Sequence, residues 1–222
     1  AKEAIEKIQG NGIQALPVEA DMSKDEEVAR MVAKVAEQFG TIDVLVNAAA
    51  VQIYPGKEIS QLEPREWDFV LNIGLKAAYL STRHVVPIFK SKGGGKIVNI
   101  ASIAGHRGSP GGSAYTAAKG GVITLTRQMA VELGPHHINV NSVSPGFTPN
   151  RLTTVYEYQA MAGGTDQPPI PSTGTSAMTP PPLGRKGNVD DFVGPVLFLA
   201  SRWADFITGI DLPVEGGRLA AR

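Results

Sequence analysis

The sequence predicts an α/β fold in which helices cover both faces of a mostly parallel, doubly wound sheet. Segments with helical spacing of apolar residues alternate with short strand-like segments along the whole chain. The run from Ile42 to Val46 is almost continuously apolar, which is typical of a parallel strand buried on both faces. Right-handed crossovers between such strands place helices on both sides of the sheet, in a three-layer α/β/α arrangement.

The first four elements are bounded by glycines and polar residues. Residues 1–10 place alanines and isoleucines on one helical face, and the Gly10-Asn11-Gly12 run ends this helix. Residues 13–20 have the pattern of a short strand, and a second helix is expected over 23–40, where Gly40 ends it. The apolar strand from residue 42 ends at Asn47.

The remaining elements continue the alternation of helix and strand. A turn at Gly93-Gly94-Gly95 separates a long helix from the strand that follows it. The last helix and strand come after a long irregular stretch. In order, we predict a helix over 63–90, strand 96–102, helix 113–133, strand 138–144, helix 189–201 and strand 210–214.

A proline-rich stretch at about 149–187 interrupts this order. It contains Pro168-Pro169 and Pro180-Pro181-Pro182 among Gly, Ser and Thr, and it is longer than the usual loops of compact domains. Because it follows a strand at the edge of the sheet where open α/β proteins bind ligands, we interpret it as a substrate lid. A surface insertion without a binding role is the alternative.

Composition excludes several classes of protein. The 222 residues hold 21 Lys+Arg and 21 Asp+Glu, so a net charge of zero gives no indication of a nucleic-acid partner. We find no internal repeat, and we expect one domain over 1–222. No apolar run is long enough to cross a membrane. The absence of cysteine excludes disulfides and is compatible with a cytoplasmic protein.

Tyr115 and Lys119 lie four residues apart in a predicted helix, so the phenol and the ammonium share one face. A neighbouring cation favours the ionised form of a phenol, and Lys119 could therefore bring Tyr115 into range for proton transfer. An isolated pair of this kind is also expected by chance as a surface contact.

Two further polar residues could join this pair. Ser102 ends a predicted strand thirteen residues before Tyr115, where its hydroxyl could hydrogen-bond a carbonyl or alkoxide oxygen. Asn72 lies in the preceding long helix. Taken alone, Ser102 could be a turn cap and Asn72 a solvent-facing amide.

The combination of motifs resembles the short-chain dehydrogenase/reductase family from one end of the chain to the other. The resemblance is greatest to its short single-domain branch of 3-oxoacyl-acyl-carrier-protein reductases and sugar or polyol dehydrogenases. It implies a Rossmann-like fold. The motifs are Asn47-Ala-Ala-Ala50, Asn72, Ile97-Val-Asn-Ile-Ala-Ser102, Tyr115-x-x-x-Lys119, Asn139-Val-Asn-Ser-Val-Ser-Pro145-Gly146 and Glu215-Gly216-Gly217.

The resemblance implies hydride transfer between the nicotinamide of NAD or NADP and a small carbonyl or secondary alcohol. It implies that Tyr115 is the general acid/base and that Lys119 lowers its pKa and holds the cofactor ribose. Ser102 would orient the substrate oxygen, and Asn72 would position a water that links Lys119 to solvent.

Cofactor contacts carry over from the same resemblance. Ala50 departs from it, because the family often has glycine there. We expect the cofactor preference to be undecidable from this chain. Besides Tyr115 and Lys119, the implied contacts are Asp21 and Met22 near the adenine, Asn47, Ala48 and Ala49 at the central strand, and Pro145, Gly146 and Thr148 at the nicotinamide carboxamide.

The front end of the family is not found in this sequence. Relatives begin with a strand, a Gly-x-x-x-Gly-x-Gly turn, a helix and a second strand, and Gly93 to Gly95 cannot replace that turn because they precede a strand. The missing βαβ unit would leave the edge of a central strand unpaired. We therefore expect an N-terminally incomplete domain, with activity a property of the full-length parent.

The sequence also bears on metal binding, on oligomeric state and on alternative functions. The four histidines, at 84, 106, 136 and 137, show no metal-ligand spacing and no nearby carboxylate pattern, so we predict no metal site. The helices around 77–86 and 117–129 carry more apolar or small residues than one core face needs, which predicts a homodimer or homotetramer. The rival functions are a non-catalytic cofactor-sensing protein and a nucleotide-sugar epimerase or dehydratase.

Overall fold

Four parallel strands form the sheet of this protein. The computed structural model describes residues 2–51, 57–108, 112–148 and 180–221. Within them the strands lie side by side in chain order, and each pairs in parallel with the next. They are β1 (Val44–Asn47), β2 (Gly95–Ile100), β3 (Ile138–Pro145) and β4 (Asp211–Val214).

Six α-helices connect or flank these strands in the described part of the chain. The predicted helix over 113–133 is confirmed at both ends, whereas the predicted helix over 63–90 is interrupted by a π-helical turn at Asn72–Lys76. The predicted helix over 189–201 opens as a 3₁₀ turn. The helices are α1 (Lys2–Gly10), α2 (Asp25–Phe39), α3 (Pro64–Leu71), α4 (Ala77–Lys92), α5 (Ser113–Leu133) and α6 (Val193–Ala200).

Successive residues of β2 point into two separate cores. Ile97 packs in a cluster with α2, α4 and α5 on one face of the sheet. Val98 packs with Leu199 of α6 on the other face. Because side chains of a strand alternate between faces, this separation shows helices on both sides of the sheet. The predicted doubly wound, three-layer fold is confirmed. No helix within the described residues has the length and apolar character of a membrane span.

The strand predicted over 13–20 is wrong. These residues have no regular secondary structure and no ladder partner among the described strands. A strand pattern by itself supplies only half of the hydrogen bonds, and a neighbouring strand must supply the rest. Ile13 accordingly remains 61% exposed.

Two histidines contact aspartates, although no carboxylate pattern lies near either of them in the sequence. His84 Nε2 lies 2.8 Å from Asp25 Oδ1, which joins α4 to α2. His106 Nε2 lies 2.7 Å from Asp211 Oδ2. The two partners are separated by 59 and 105 residues in sequence, so local spacing carries no signal of either contact.

A buried chain of amides joins the end of β1 to α5. Asn47 Nδ2 donates to Asn99 Oδ1 at 2.9 Å, and Asn99 Nδ2 donates to Thr126 Oγ1 at 2.8 Å. The Thr126 hydroxyl in turn donates to the Val122 carbonyl oxygen at 2.8 Å. Asn99 is fully buried, so these bonds replace those that its amide would make with water. These hydrogen bonds hold Asn47 in register beside β2.

Replacing Asn99 with alanine should lower the free energy of unfolding by about 2–3 kcal/mol, because the Asn47 amide would lose its acceptor and a buried cavity would remain. Urea denaturation followed by circular dichroism measures this change. Asn11→Ala is the matched control, since the exposed Asn11 side chain bonds only the Lys7 carbonyl oxygen. An equal loss in both variants would contradict a special role for the buried amide.

Candidate active site

Helix α5 presents Tyr115 and Lys119 towards the end of β2. Lys119 is only 2% exposed, and its Nζ lies 5.9 Å from the centroid of the Tyr115 ring. The same Nζ donates a hydrogen bond to the carbonyl oxygen of Ile100 at 2.6 Å. The predicted i, i+4 pair is therefore present on one helical face, and it is attached to the last residue of a central strand.

Ser102 joins this pair from the loop that follows β2. Its backbone is extended, and its Oγ accepts a hydrogen bond from the Ala104 N–H at 3.2 Å, which caps a short 3₁₀ turn at Ile103–Gly105. The Ser102 side chain also interacts with the Tyr115 phenol, in a way that favours the ionised form of the phenol. Ser102 is thus both the turn cap considered from the sequence and a partner of the phenol.

Burial is the main cause of the pKa shifts of Tyr115 and Lys119. Burial raises the pKa of Tyr115 above its ordinary value, and the hydrogen bond with Ser102 opposes this shift. Burial also lowers the pKa of Lys119 to about 8. The net direction for Tyr115 is opposite to the expectation from the Tyr115–Lys119 pair alone, because removal of the phenol from water disfavours its anion.

Asn72 is the fourth residue that the sequence predicts for this site. It begins the π-helical turn between α3 and α4, a kind of turn that is frequent at functional sites. This turn packs closely on α5, where a Cβ added to Gly74 would lie 3.1 Å from the Cβ of Ala118. Among the described contacts, none is a hydrogen bond from the Asn72 side chain to Tyr115 or Lys119. The π-helical turn that Asn72 begins therefore packs against the helix that carries Tyr115 and Lys119.

A cleft of about 220 Å³ lies beside the carboxyl end of β1. Open α/β sheets bind their ligands at this edge. The cleft also borders Ile100, whose carbonyl oxygen accepts from Lys119. It is smaller than typical ligand pockets of 300–1,000 Å³. Four predicted cofactor residues line it: Met22, Asn47, Ala48 and Ala49.

The carboxylate of Asp21 hydrogen-bonds Ser23, two residues further along the chain. Its Oδ1 accepts hydrogen bonds from the Ser23 N–H at 3.0 Å and from the Ser23 hydroxyl at 2.7 Å. The hydrogen bonds from Ser23 lower the pKa of Asp21, with a smaller effect from Lys24. The carboxylate is therefore a charged acceptor beside Met22, but it does not line the cleft.

Gly146 follows β3 where the backbone approaches β4 closely. Its N–H donates to the Val214 carbonyl oxygen at 2.9 Å, and a Cβ at this position would lie 2.8 Å from the Cα of Glu215. Only glycine fits such an approach without displacement of the neighbouring chain. Pro145 is the last residue of β3, and the buried Thr148 hydroxyl donates to the Gly146 carbonyl oxygen at 3.4 Å.

A second cleft of about 360 Å³ begins at Gly146 and Phe147. Its wall includes several of residues 180–187, the described end of the predicted lid. Residues 149–179 of that lid lie outside the described residues. The predicted cofactor contacts are therefore divided between two clefts. Gly146 lines the second cleft, and the first is lined by Met22, Asn47, Ala48 and Ala49.

Comparisons with known proteins agree with these motifs. A family model described as enoyl-(acyl carrier protein) reductase matches residues 1–218. The chain belongs to the short-chain dehydrogenase/reductase family. It is 34% identical to a 3-oxoacyl-acyl-carrier-protein reductase of Staphylococcus epidermidis, over 98% of this chain and 83% of that protein. It is 34% identical to a 2-dehydro-3-deoxy-D-gluconate 5-dehydrogenase of Dickeya dadantii, over 99% of this chain and 82% of that one.

A solved structure extends the agreement to three dimensions. A gluconate 5-dehydrogenase from Burkholderia cenocepacia, in complex with NADP and tartrate, superposes with a TM-score of 0.84 at 26% identity. The match covers 99% of this chain and 81% of that chain. This short-chain dehydrogenase/reductase is thus an oxidoreductase dependent on NAD or NADP, and the preference between the two cofactors is open.

Gly105 is a residue that sequence reasoning missed in this short-chain dehydrogenase/reductase. A Cβ at Gly105 would lie 2.8 Å from the backbone carbon of Lys119 and 2.9 Å from the backbone nitrogen of Gly120. The 3₁₀ turn that begins at Ser102 therefore rests directly on the backbone of α5. A glycine three residues after Ser102 was the only sequence signal, and a turn explains it equally well.

Replacing Gly105 with alanine should lower the free energy of unfolding by about 2 kcal/mol, because the added methyl group must push the turn away from α5. Thermal melting measures the change. Gly108→Ala is the matched control in the same loop, since a Cβ there meets nothing within 4 Å. Equal melting temperatures for the two variants would show that the close contact does not constrain the turn.

Proposed function

We propose that Tyr115 is the general acid/base of this oxidoreductase and that Ser102 orients the oxygen of a small carbonyl or secondary alcohol. The observation that carries the proposal is that the side chains of Ser102 and Tyr115 interact beside the buried Lys119. When bound, the nicotinamide supplies or accepts the hydride. The residues of this chain hold the substrate oxygen and move its proton.

The state of Tyr115 supports its role as a proton donor. With a raised pKa, the phenol keeps its proton at neutral pH and can give it to the oxygen of a carbonyl that is being reduced. Ser102 can reach the same oxygen, because its side chain already interacts with the phenol. The partial burial of both side chains limits competition from water.

Lys119 and Asn72 would support this proton transfer. Lys119 carries its ammonium against the Ile100 carbonyl oxygen, at the border of the first cleft, where it could bond a ribose hydroxyl. Asn72 would position a water between Lys119 and solvent, and the packing of its π-helical turn on α5 supports this role. Its side chain would then act through that water.

The two clefts suggest how a cofactor would lie. Asp21 and Met22 would contact the adenine, and Asn47, Ala48 and Ala49 would lie along the first cleft. Pro145, Gly146 and Thr148 would contact the nicotinamide carboxamide at the end of β3. The proline-rich segment at 149–187 would close over the substrate, and the place of residues 180–187 in the wall of the second cleft supports this proposal.

The test is an absorbance assay of NADH and NADPH oxidation by the full-length protein. The panel should contain ketones, keto-sugars, sugar acids and acyl thioesters, because the relatives named above reduce or oxidise such compounds. Turnover of at least one carbonyl compound is expected, together with a large but still measurable decrease of kcat in Ser102→Ala. A protein that binds the nucleotide but turns over no member of the panel would favour the cofactor-sensing alternative.

We also propose that β1 pairs with a further strand on its free side. Among the described strands, β1 pairs only with β2, and Val44 and Val46 remain 38% and 43% exposed. A further βαβ unit would cover this edge and extend the first cleft. Intact-mass spectrometry of the natural protein tests this, because a start at Ala1 with a cooperative melt would contradict it.

A homodimer or homotetramer is the third part of the proposal. Tyr79 on α4 and Val131 on α5 are 46% and 75% exposed. The segment around α6 also exposes Leu197 and Trp203, by 63% and 76%. Such apolar exposure favours association. Light scattering that gives the mass of one protomer would contradict it.

We place the protein in the cytoplasm, in keeping with its lack of cysteine, and cell fractionation tests this.

A further inference from the structure

Asp211 is a buried carboxylate that the proposed mechanism does not use. It opens β4, and its side chain is only 4% exposed. A carboxylate removed from water in this way must be compensated by hydrogen bonds or an opposite charge. Three partners provide this compensation: Ser142, Ser144 and His106. We refer to these four residues as the Asp211 cluster.

The two serines attach Asp211 to β3. Oδ1 accepts from the Ser142 hydroxyl at 2.5 Å and from the Ser144 hydroxyl at 2.9 Å. Both serines are fully buried, and Ser142 is the register partner of Asp211 between β3 and β4. Because residues two apart on a strand share a face, both hydroxyls reach the same oxygen atom. The carboxylate is therefore held by the rigid sheet.

The other oxygen atom holds the loop that carries Ser102. Oδ2 contacts His106 Nε2 at 2.7 Å, and His106 directly follows the 3₁₀ turn that Ser102 caps. The backbone of Ala101, which precedes this turn, donates to the Val143 carbonyl oxygen at 2.8 Å, and Gly105 rests on α5. The turn is thus held at its start by β3, at Gly105 by α5 and at its end by Asp211.

We propose that Asp211 and His106 are positioning residues that hold the Ser102 hydroxyl against Tyr115. The proposal rests on the proposed catalytic roles of Ser102 and Tyr115. It explains why a charged group is buried beside β3, three residues before that strand ends at Pro145. A turn free at its far end could move Ser102 away from the phenol without any loss of fold.

The test removes the contact between His106 and Asp211 by a substitution of His106, the more exposed of the two residues. His106→Phe keeps a ring but removes the nitrogen that meets Asp211, and the side chain of His106 is partly exposed, so the variant should fold. His84→Phe is the matched control, because His84 makes the same kind of contact with Asp25 at 2.8 Å, between α4 and α2. Asp211→Asn is the second variant, since it preserves the acceptor for both serines.

We expect His106→Phe to lower kcat about 10-fold for any carbonyl compound that the full-length protein reduces, because small displacements of a reacting group are costly. In a Ser102→Ala background the same substitution should change kcat by less than about twofold, since its effect passes through Ser102. His84→Phe should leave kcat unchanged. An unchanged kcat in His106→Phe, or an equal loss in the Ser102→Ala background, would overturn the proposal.

A measurement without substrate separates this proposal from the proposed function. The ¹³Cζ resonance of Tyr115, assigned by comparison with Tyr115→Phe, reports the hydrogen bond to the phenol. It should shift in His106→Phe and Asp211→Asn but not in His84→Phe. If no carbonyl compound is reduced, the proposed function fails while the resonance still tests the Asp211 cluster. An unmoved resonance in both cluster variants would overturn the proposal even in an active enzyme.

Discussion

Replacing Tyr115 with phenylalanine is expected to lower kcat by roughly 1,000-fold, within the range of general acid/base catalysis. The variant keeps the half-buried ring on α5 and removes only the hydroxyl that interacts with Ser102 and would donate the proton. Nucleotide affinity should change little, because Lys119 and both clefts remain. Steady-state assays of NAD(P)H oxidation, with fluorescence titration of the bound nucleotide, measure the two effects separately.

The control for this substitution is Tyr79→Phe. Tyr79 lies on α4, 46% exposed, and its hydroxyl accepts a long hydrogen bond of 3.5 Å from Arg83. Loss of that hydroxyl should leave kcat within about twofold of the original, since exposed polar contacts contribute little. Equal rates for Tyr115→Phe and the unmodified protein would remove Tyr115 from the mechanism and leave the family membership intact.

The stability of the protein should rise with pH in the range where Lys119 loses its proton. Burial lowers the pKa of Lys119 to about 8 from an ordinary value of 10.5. Between these values the unfolded chain binds more protons than the folded one, so alkali favours folding. Below pH 8 both states carry the charge, and the folded state bears the full cost of burying it. We expect the free energy of unfolding to increase by about 2 kcal/mol between pH 8 and 10.

Lys119→Met identifies the source of this dependence. The variant removes the buried charge, so it should be more stable than the original protein below pH 8, and this advantage should shrink towards pH 10. Tyr115 limits the window, because its raised pKa favours the protonated folded state and opposes the rise above pH 10. Urea titrations at several pH values measure the effect. Lys90→Met, at an exposed position of α4, should keep the original slope; an equal slope in Lys119→Met would contradict the assignment.

Residue spacing alone predicted part of the candidate site. Tyr115 and Lys119 share a helical face whatever surrounds them, because four residues make about one turn. The strand-end position of Ser102 was equally predictable, since parallel strands present their carboxyl ends at one edge. The direction of the Tyr115 pKa was not, because it depends on how many atoms from other elements exclude water from the phenol. The same limit applies to the histidines at 84 and 106, whose aspartate partners come from distant elements.

By itself, the sequence determined the alternation of helices and strands, the exact extent of α5 and the motif that the family shares, because these follow from local periodicity and turn residues. Only the tertiary structure decided that residues 13–20 form no strand, that a π-helical turn interrupts the helix at Asn72, and that Asp211 holds the loop of Ser102. Each of these depends on a partner far away in the chain. Hydrogen bonds and burial between distant segments leave no periodic trace in the residues that make them.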